Sequence, residues 1–336
     1  MPPTEMIRIP APDLTATLLR VLGELGMEGE SADLCARLFV EASVDGVYSH
    51  GVHRFPRFVK TVRAGVVDLH ARAEPVTCHG PVERWDGKLG PGNLNAHRCM
   101  DRAISLAREY GMGCVALAET NHWMRGGSYG RQAADAGMIG ICWTNTMPNL
   151  PPWGATQPRL GNNPLVIAVP HPGGHVVLDM AMSQFSYGGL ESARRRGEML
   201  PVPGGFDSKG ELTRDPGAIE ESARPLPIGY WKGSGLALML DLVAAVLAQG
   251  RGTHAIPADP YAESGISQLF LTIDPRAAGD AARAEEITSQ ILEHFLGDST
   301  PGEVRWPGQR TAEIRRRNLA EGVPVDPAIW EEIRGL

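Results

Sequence analysis

Residues 114–130 read CVALAETNHWMRGGSYG and join two features that packing alone rarely brings together. The first five residues are apolar and have the length and composition of a buried strand. The loop that follows holds an imidazole, an indole, a guanidinium and two adjacent glycines. Because binding and catalytic side chains concentrate on loops that a rigid sheet supports, the stretch predicts a functional site at the end of a strand.

The segments on either side alternate between strand and helix. Short apolar runs predict strands at residues 139–143, 165–169, 176–179 and 269–273, and a hairpin within residues 76–87. Periodic or long apolar runs predict helices at residues 14–25, 34–42, 95–109, 128–136, 236–249 and 281–296. Residues 201–227, rich in proline, glycine and aspartate, are predicted to form a long loop. This mixture predicts an α/β or α+β fold.

The bulk composition limits the classes of partner. The 336 residues carry a net charge of −7 with scattered Lys and Arg, so we expect no nucleic-acid surface. The five cysteines lack C-x-x-C spacing, which is typical of reduced cytoplasmic thiols. The N-terminal residues show no signal-peptide pattern, and we find no apolar stretch of the roughly 18 residues that a membrane span needs. We therefore expect a soluble cytoplasmic protein with no membrane partner.

The first candidate group of functional residues lies in residues 48–54, YSHGVHR. The imidazole of His50 is suited to proton transfer near pH 7, and Arg54 can bind a carboxylate through two parallel hydrogen bonds. If the segment is helical, their spacing of four places both side chains on one side. The alternative is a helix end with solvated polar groups, and the residues alone leave both interpretations open.

The second group lies in the loop after the predicted strand. His122 is a candidate second acid or base, or a donor to a carbonyl, and Trp123 is a candidate pocket wall. The alternative is a loop histidine bonded to a backbone carbonyl. Residues 126–130 also match G-x-S-x-G, but the strand ends well before them, so Ser128 is predicted to be a helix N-cap instead of a nucleophile.

The third group is the run GYWKGSG at residues 229–235, which precedes the longest apolar helix. Backbone N–H groups and Lys232 at a helix N-terminus would form an anion site. The alternative is a glycine-rich helix start with Ser234 as the N-cap. We find no common metal-binding motif and no G-x-G-x-x-G after a strand, so we expect no metal, and any bound dinucleotide would sit without a Rossmann fold.

These segments, together with GICWTN at 140–145, PPWG at 151–154 and FSYG at 185–188, resemble the malate/L-lactate dehydrogenase family of NAD(P)-dependent oxidoreductases in order and spacing. The family is unrelated to the Rossmann-fold lactate and malate dehydrogenases. The resemblance implies an α/β fold with a non-Rossmann NAD-binding core and a mixed sheet, plus a helical domain built from both chain ends. It assigns residues 1–74 with 281–336 to the helical domain and 75–280 to the binding domain, and it implies a homodimer.

The resemblance also implies a reaction. This is reduction of the C2 ketone of 2,3-diketo-L-gulonate to 3-dehydro-L-gulonate, with NADH as the hydride source. NADPH is the alternative cofactor, because Arg310 could accept its 2′-phosphate. Two other possibilities stay open: a sibling dehydrogenase acting on malate, sulfolactate, ureidoglycolate or a cyclic imino acid, and a sugar-acid binding protein that has lost redox chemistry.

Site residues follow from the same resemblance. Hydride transfer to a ketone leaves an alkoxide, which requires a proton donor aimed at the oxygen. His50 is expected to be this donor, with His122 as a second acid or base. The expected substrate contacts are Ser49, Arg54, Trp123 and Arg125. The expected cofactor contacts are His175, Val176, Val177, Leu178, Asp179, Met180, Ala181, Trp231, Lys232, Gly308, Gln309 and Arg310.

Overall fold

The computed structural model of the chain describes residues 6–300 and 302–336. Its strands are β1 (Ile7–Ile9), β2 (Glu74–His79), β3 (Val82–Asp86), β4 (Met112–Thr120), β5 (Ile139–Thr144), β6 (Leu165–Val169), β7 (Val176–Met180), β8 (Gly205–Phe206), β9 (Leu212–Thr213), β10 (Ile266–Ile273) and β11 (Val323–Val325). Its α-helices are α1 (Ala11–Glu24), α2 (Gly29–Val44), α3 (Phe55–Arg63), α4 (Gly92–Tyr110), α5 (Gly127–Asp135), α6 (Tyr187–Arg195), α7 (Pro216–Ser222), α8 (Trp231–Ala248), α9 (Pro275–Ala278), α10 (Ala281–Leu296), α11 (Thr311–Glu321) and α12 (Pro327–Arg334).

Seven strands form one mixed sheet in the order β2-β3-β4-β10-β5-β6-β7. Strands β3 and β4 run parallel and are joined through α4, while the other neighbouring pairs are antiparallel. A Rossmann fold requires a largely parallel, doubly wound sheet. The predicted α/β fold with a mixed sheet is therefore confirmed.

The centre of the sheet is covered on both faces. Along β4, Val115 and Leu117 pack on the side of α4, whereas the alternate residues Cys114, Ala116 and Ala118 pack with the buried side chains of α8. At Gly113 a Cβ atom would lie 2.1 Å from the carbonyl oxygen of Ala103 in α4, so the helix can approach the strand only at a glycine. This close packing makes β4 a rigid support for the loop that follows it.

The two ends of the chain meet away from this sheet. Strand β1 pairs with β11, and residues of α1, α2 and α3 share a core with Val323, Val325 and Ile333. Helix α10 has no fully buried residue, and its Ser289 hydroxyl lies 3.3 Å from Nε2 of His171 in the turn between β6 and β7. We keep the division into residues 1–74 with 281–336 and residues 75–280 as a proposal.

Several local expectations require correction. Helix α5 begins at Gly127 after Gly126, so Ser128 lies inside the helix and is not its N-cap. Helix α8 begins at Trp231, so Ser234 also lies inside a helix; its hydroxyl accepts the N–H of Trp153. Residues 201–227 are not one loop, because they contain β8, β9 and α7 and pack against α6 around Leu190 and Ile219.

Helix α8 also corrects the expectation about apolar length. By length and composition alone, this helix of 18 residues could cross a membrane. One side of α8 packs on the sheet through Ala237, Leu240 and Ala244, and the Trp143 indole donates to the Leu240 carbonyl at 3.0 Å. The other side is exposed and apolar, with Met239, Leu242 and Val246 among its residues. The helix is thus a core element with one uncovered face.

Candidate active site

One large cavity lies beside the sheet and has a volume of about 640 Å³. Its wall combines the turn at residues 47–50, the loop at 122–127, one side of β7, and residues 306–315. A volume of this size suits a cofactor together with a small substrate. The cavity therefore brings the first two sequence-predicted groups to one place.

The turn that carries His50 is fixed against α2. Two short 3₁₀ turns, Tyr48–His50 and Val52–Arg54, flank Gly51. The N–H of Val52 donates to the Ser43 hydroxyl at 2.9 Å, and a Cβ atom on Gly51 would lie only 2.0 Å from that same oxygen. Only glycine allows this approach, so the sequence S-H-G sets the position of the imidazole.

The loop after β4 is held in an unusual backbone conformation. Glu119 and Met124 have positive φ angles of 47° and 65°, which side chains larger than glycine rarely adopt. The Asn121 amide donates to the carbonyls of Leu89 and Gly90 and anchors the loop. Backbone strain that surrounding hydrogen bonds hold in place is typical of functional sites.

The hydrogen bonds of His122 assign its tautomer. The Met124 N–H donates to Nδ1 of His122 at 3.0 Å, so a neutral ring carries its proton on Nε2. That nitrogen lies 3.4 Å from Nη2 of Arg54. Two donors facing each other leave room for an acceptor that both could bind.

His50 and His122 stack with ring centroids 5.9 Å apart and an interplanar angle of 21°. The Ser49 hydroxyl lies 3.0 Å from Nδ1 of His50. Burial and the nearby Arg54 lower the pKa of His50 to about 4, and the same two causes hold the pKa of His122 well below its ordinary value. Both rings are therefore neutral near pH 7 in the free protein.

Arg54 lies beside His122 on a second, small cavity, whose wall shares His122 and Met124 with that of the large cavity. Within residues 6–300 and 302–336, no carboxylate lies within 4 Å of its guanidinium, and burial lowers its pKa to about 10. The nearby Glu263 faces Arg57 at 3.6 Å and accepts the N–H of Met147 instead. A half-buried guanidinium with no carboxylate partner among the described residues favours binding of an anion.

Trp123 and Arg125 line the cavity and are also held by contacts inside the protein. Trp123 is 2% exposed, and its ring packs in the core against Tyr129 and Phe270, with centroids 5.5 and 6.2 Å away. Arg125 is 9% exposed and forms an ion pair with Asp45 at 2.5 Å. Because both residues also line the cavity, their predicted contact with substrate stays a prediction.

Strand β7 presents alternate residues of the expected cofactor run to the cavity. His175, Val177, Asp179 and Ala181 line it, while the intervening Val176, Leu178 and Met180 do not. The Asp179 carboxylate opens onto the cavity and accepts the Gly127 N–H at 2.7 Å; enclosure by the protein raises its pKa. The strand therefore offers four of the seven expected contacts.

The remaining expected cofactor residues divide into two groups. Gly308 and Gln309 line the cavity, and Gly308, with a φ of 88°, approaches the backbone of Val177 so closely that a Cβ atom would lie 3.2 Å from its nitrogen. Arg310 is exposed at the start of α11. Trp231 and Lys232 lie at the exposed start of α8. Neither is among the described residues that line the cavity.

Sequence reasoning missed Asp45, Arg131, Arg315 and Trp306, all of which lie at or directly behind the cavity wall. The one sequence signal for Asp45 was its position five residues before His50, close to the first candidate group. The arginines come from separate helices, and no spacing rule connects them. Only the folded chain brings these residues together.

The chain belongs to the malate/L-lactate dehydrogenase family, whose model matches residues 9–334. It is thus an oxidoreductase of this family. A 2,3-diketo-L-gulonate reductase of Escherichia coli strain UMN026 is 44% identical over 96% of this chain and 98% of the relative.

Solved structures agree with this assignment. The sulfolactate dehydrogenase of Methanocaldococcus jannaschii aligns with a TM-score of 0.89 and 27% identity, over 97% of this chain and 95% of its own. The malate dehydrogenase of Pyrococcus horikoshii OT3 aligns with a TM-score of 0.88 and 28% identity, over 97% and 93%. The family resemblance is confirmed.

Proposed function

We propose that this protein reduces the C2 ketone of 2,3-diketo-L-gulonate to 3-dehydro-L-gulonate with a nicotinamide dinucleotide. The observation that carries the proposal is the pair of stacked imidazoles, His50 and His122, on the wall of a large cavity, with Arg54 3.4 Å behind His122. The 44% identity to a 2,3-diketo-L-gulonate reductase supports this substrate over smaller acids such as malate and sulfolactate.

The volume of the cavity and a carboxylate on its wall support a dinucleotide as its ligand. Gly308 packs closely against the backbone of β7, and Asp179 offers a carboxylate that could accept a ribose hydroxyl or carboxamide N–H. When bound, the reduced nicotinamide supplies the hydride. NADH is the proposed cofactor, with NADPH as the alternative because the exposed Arg310 lies next to the cavity residue Gln309.

The protein's own groups bind and orient the keto acid. The C1 carboxylate next to the ketone pairs with Arg54, and the ketone oxygen accepts a hydrogen bond from Nε2 of His122. His50 then donates a proton to the oxygen as negative charge develops there. Ser49, through its contact with Nδ1 of His50, holds that ring in position.

The low pKa of His50 makes this proton donation depend on substrate binding. Positive charge from Arg54 contributes to holding the pKa near 4 in the free protein. A carboxylate bound at Arg54 offsets that charge and raises the pKa of His50. Binding of the keto acid therefore favours the protonated donor in the complex.

The test is a panel of keto acids assayed by NADH and NADPH absorbance. We expect the highest kcat/KM with 2,3-diketo-L-gulonate. A higher value with oxaloacetate or sulfopyruvate would favour a sibling dehydrogenase, and one with a cyclic imine such as Δ1-piperideine-2-carboxylate would favour an imino acid reductase. Binding of sugar acids without any consumption of reduced cofactor would favour a binding protein.

We also propose that the protein is a cytoplasmic homodimer that covers the exposed face of α8. Met239, Leu242 and Val246 are 53%, 47% and 69% exposed in the single chain. An apolar face of this extent, on the helix that begins with Trp231 and Lys232, is typical of an interface. Pairing there would also change the surroundings of these two expected cofactor residues.

A further inference from the structure

Three arginines from different segments converge on one buried carboxylate beside the cavity. Asp45, which follows the last residue of α2, is 4% exposed. Its Oδ2 lies 2.5 Å from Nη1 of Arg125 and 3.4 Å from Nη1 of Arg131, and its Oδ1 lies 2.8 Å from Nη1 of Arg315. One carboxylate therefore holds the ends of three guanidinium groups.

Arg131 and Arg315 keep donors that Asp45 does not use. Each guanidinium has five N–H groups, and each touches Asp45 through one nitrogen. Asp135 lies 3.5 Å from Arg131 and Glu41 lies 3.8 Å from Arg315, but neither contact is a hydrogen bond. Both arginine side chains line the cavity, at 39% and 28% exposure, so their free donors are open to a ligand.

A series of side-chain contacts connects the arginines to both the His122 loop and β7. Arg125, three residues after His122, contacts Asp45, which also contacts Arg131. Arg131 lies 3.5 Å from Asp135, and Oδ1 of Asp135 lies 2.9 Å from Nε2 of His175 beside β7. Arg315 joins them from α11, one turn after the cavity residues Thr311 and Ala312. The imidazoles, Arg131, Arg315 and Gly308 all line the same cavity, so an extended ligand there could contact them together.

We propose that Arg131 and Arg315 bind the pyrophosphate of the nicotinamide dinucleotide, and that Asp45 positions both guanidinium groups. The ligand's identity rests on the proposed function. A pyrophosphate lies at the middle of a dinucleotide and carries two negative charges with several acceptor oxygens. Planar guanidinium groups match such oxygens with paired hydrogen bonds. Asp45 lowers the cost of holding two cations together in the absence of ligand.

The test measures binding of ADP-ribose, which contains the pyrophosphate but no nicotinamide, by isothermal titration calorimetry. We expect Arg131→Gln and Arg315→Gln each to weaken binding about tenfold, the loss that one charge-assisted hydrogen bond represents. Arg131→Lys should recover part of the loss because it keeps the charge. The matched control is Arg317→Gln, an exposed arginine on the same helix as Arg315, which should leave affinity within twofold of the wild type.

The outcome is distinguishable from that of the proposed function. Far-UV circular dichroism and Tm identify variants that are folded, and each single variant still leaves Asp45 two arginine partners. Folded single variants that bind ADP-ribose as the wild type does would overturn the inference, as would a wild type that does not bind it at millimolar concentration. Weakened ADP-ribose binding in an enzyme that reduces none of the keto acids would support the pyrophosphate site and contradict the proposed reaction.

Discussion

Arg54 is the residue through which the site could couple binding to protonation. Its side chain is half-buried, lies 3.4 Å from the ring of His122, and is among the causes that lower the pKa of both imidazoles. A bound carboxylate would neutralise it and reverse its effect on the two rings. In this account, Arg54 both holds the acid and prepares the proton donor.

The pH dependence of reduction tests this coupling. Protonated His50 is the reactive form, and its pKa in the free protein is about 4, so kcat/KM for keto-acid reduction should fall as pH rises above that value. In the bound complex the pKa is higher, so kcat should begin to fall at a higher pH than kcat/KM does. Oxidation of the hydroxy acid needs the neutral ring and should rise with pH. Reduction that accelerates from acid to alkaline pH would contradict the assignment.

The sequence identified His50, His122 and Arg54 as candidates because imidazole and guanidinium groups have evident uses. It could not predict that the two rings stack, since they lie 72 positions apart and meet only through the folded turn and loop. It also predicted that Trp123 is part of a pocket wall, but not that the same indole packs into the core behind the cavity. The sequence therefore indicates which side chains can carry out chemistry, but not where they lie in the fold.

At the scale of elements, the turn between α2 and α3 sets the position of His50, the proposed proton donor. The contact between Val52 and Ser43 and the absence of a side chain at Gly51 fix this turn against α2. We expect Gly51→Ala to lower the free energy of unfolding by about 1–3 kcal/mol, because the new Cβ must displace the turn. We also expect a loss of keto-acid turnover, because the displacement moves His50.

Chemical denaturation and NADH consumption measure the two effects. The matched control is Gly23→Ala in α1, where a Cβ would meet no atom within 4 Å. The control should be neutral or slightly stabilising, since alanine favours helix more than glycine does. Equal stability and turnover in both variants would show that Gly51 does not set the turn.

Elements with a clear period were predicted well, and those set by long-range contacts were not. Strand β6 and helix α10 have the bounds that the pattern predicts, because apolar runs and caps are local signals. The starts of α5 and α8 were placed too late, since Gly126 and Tyr230 precede them without a conventional capping side chain. The hairpin of β8 and β9 lay hidden in a stretch rich in proline and glycine.

At the scale of the whole molecule, we assign the exposed apolar face of α8 to the proposed dimer interface. We expect Val246→Glu to shift the protein from dimer to monomer in sedimentation velocity, because a buried unpaired charge opposes association. Leu319→Glu, at an exposed apolar position on α11, is the matched control. A wild type that sediments as a monomer at micromolar concentration would refute the proposed dimer.

The overall fold and the family could be inferred from sequence because rare residues match along the whole chain. The cavity as a unit could not, since its wall joins residues 47–50 to residues 306–315 across most of the chain. The same long-range assembly brings Asp45 together with Arg131 and Arg315. Function at this scale depends on how distant segments meet, which no local pattern encodes.

The most direct test of the central claim is the turnover of His50→Ala with NADH and 2,3-diketo-L-gulonate, measured beside the affinity for NADH. We predict a fall in kcat of about 10²–10⁴-fold, the range for loss of a general acid, with NADH affinity within about twofold of the wild type. A folded variant that reduces the keto acid at the wild-type rate would contradict proton donation by His50.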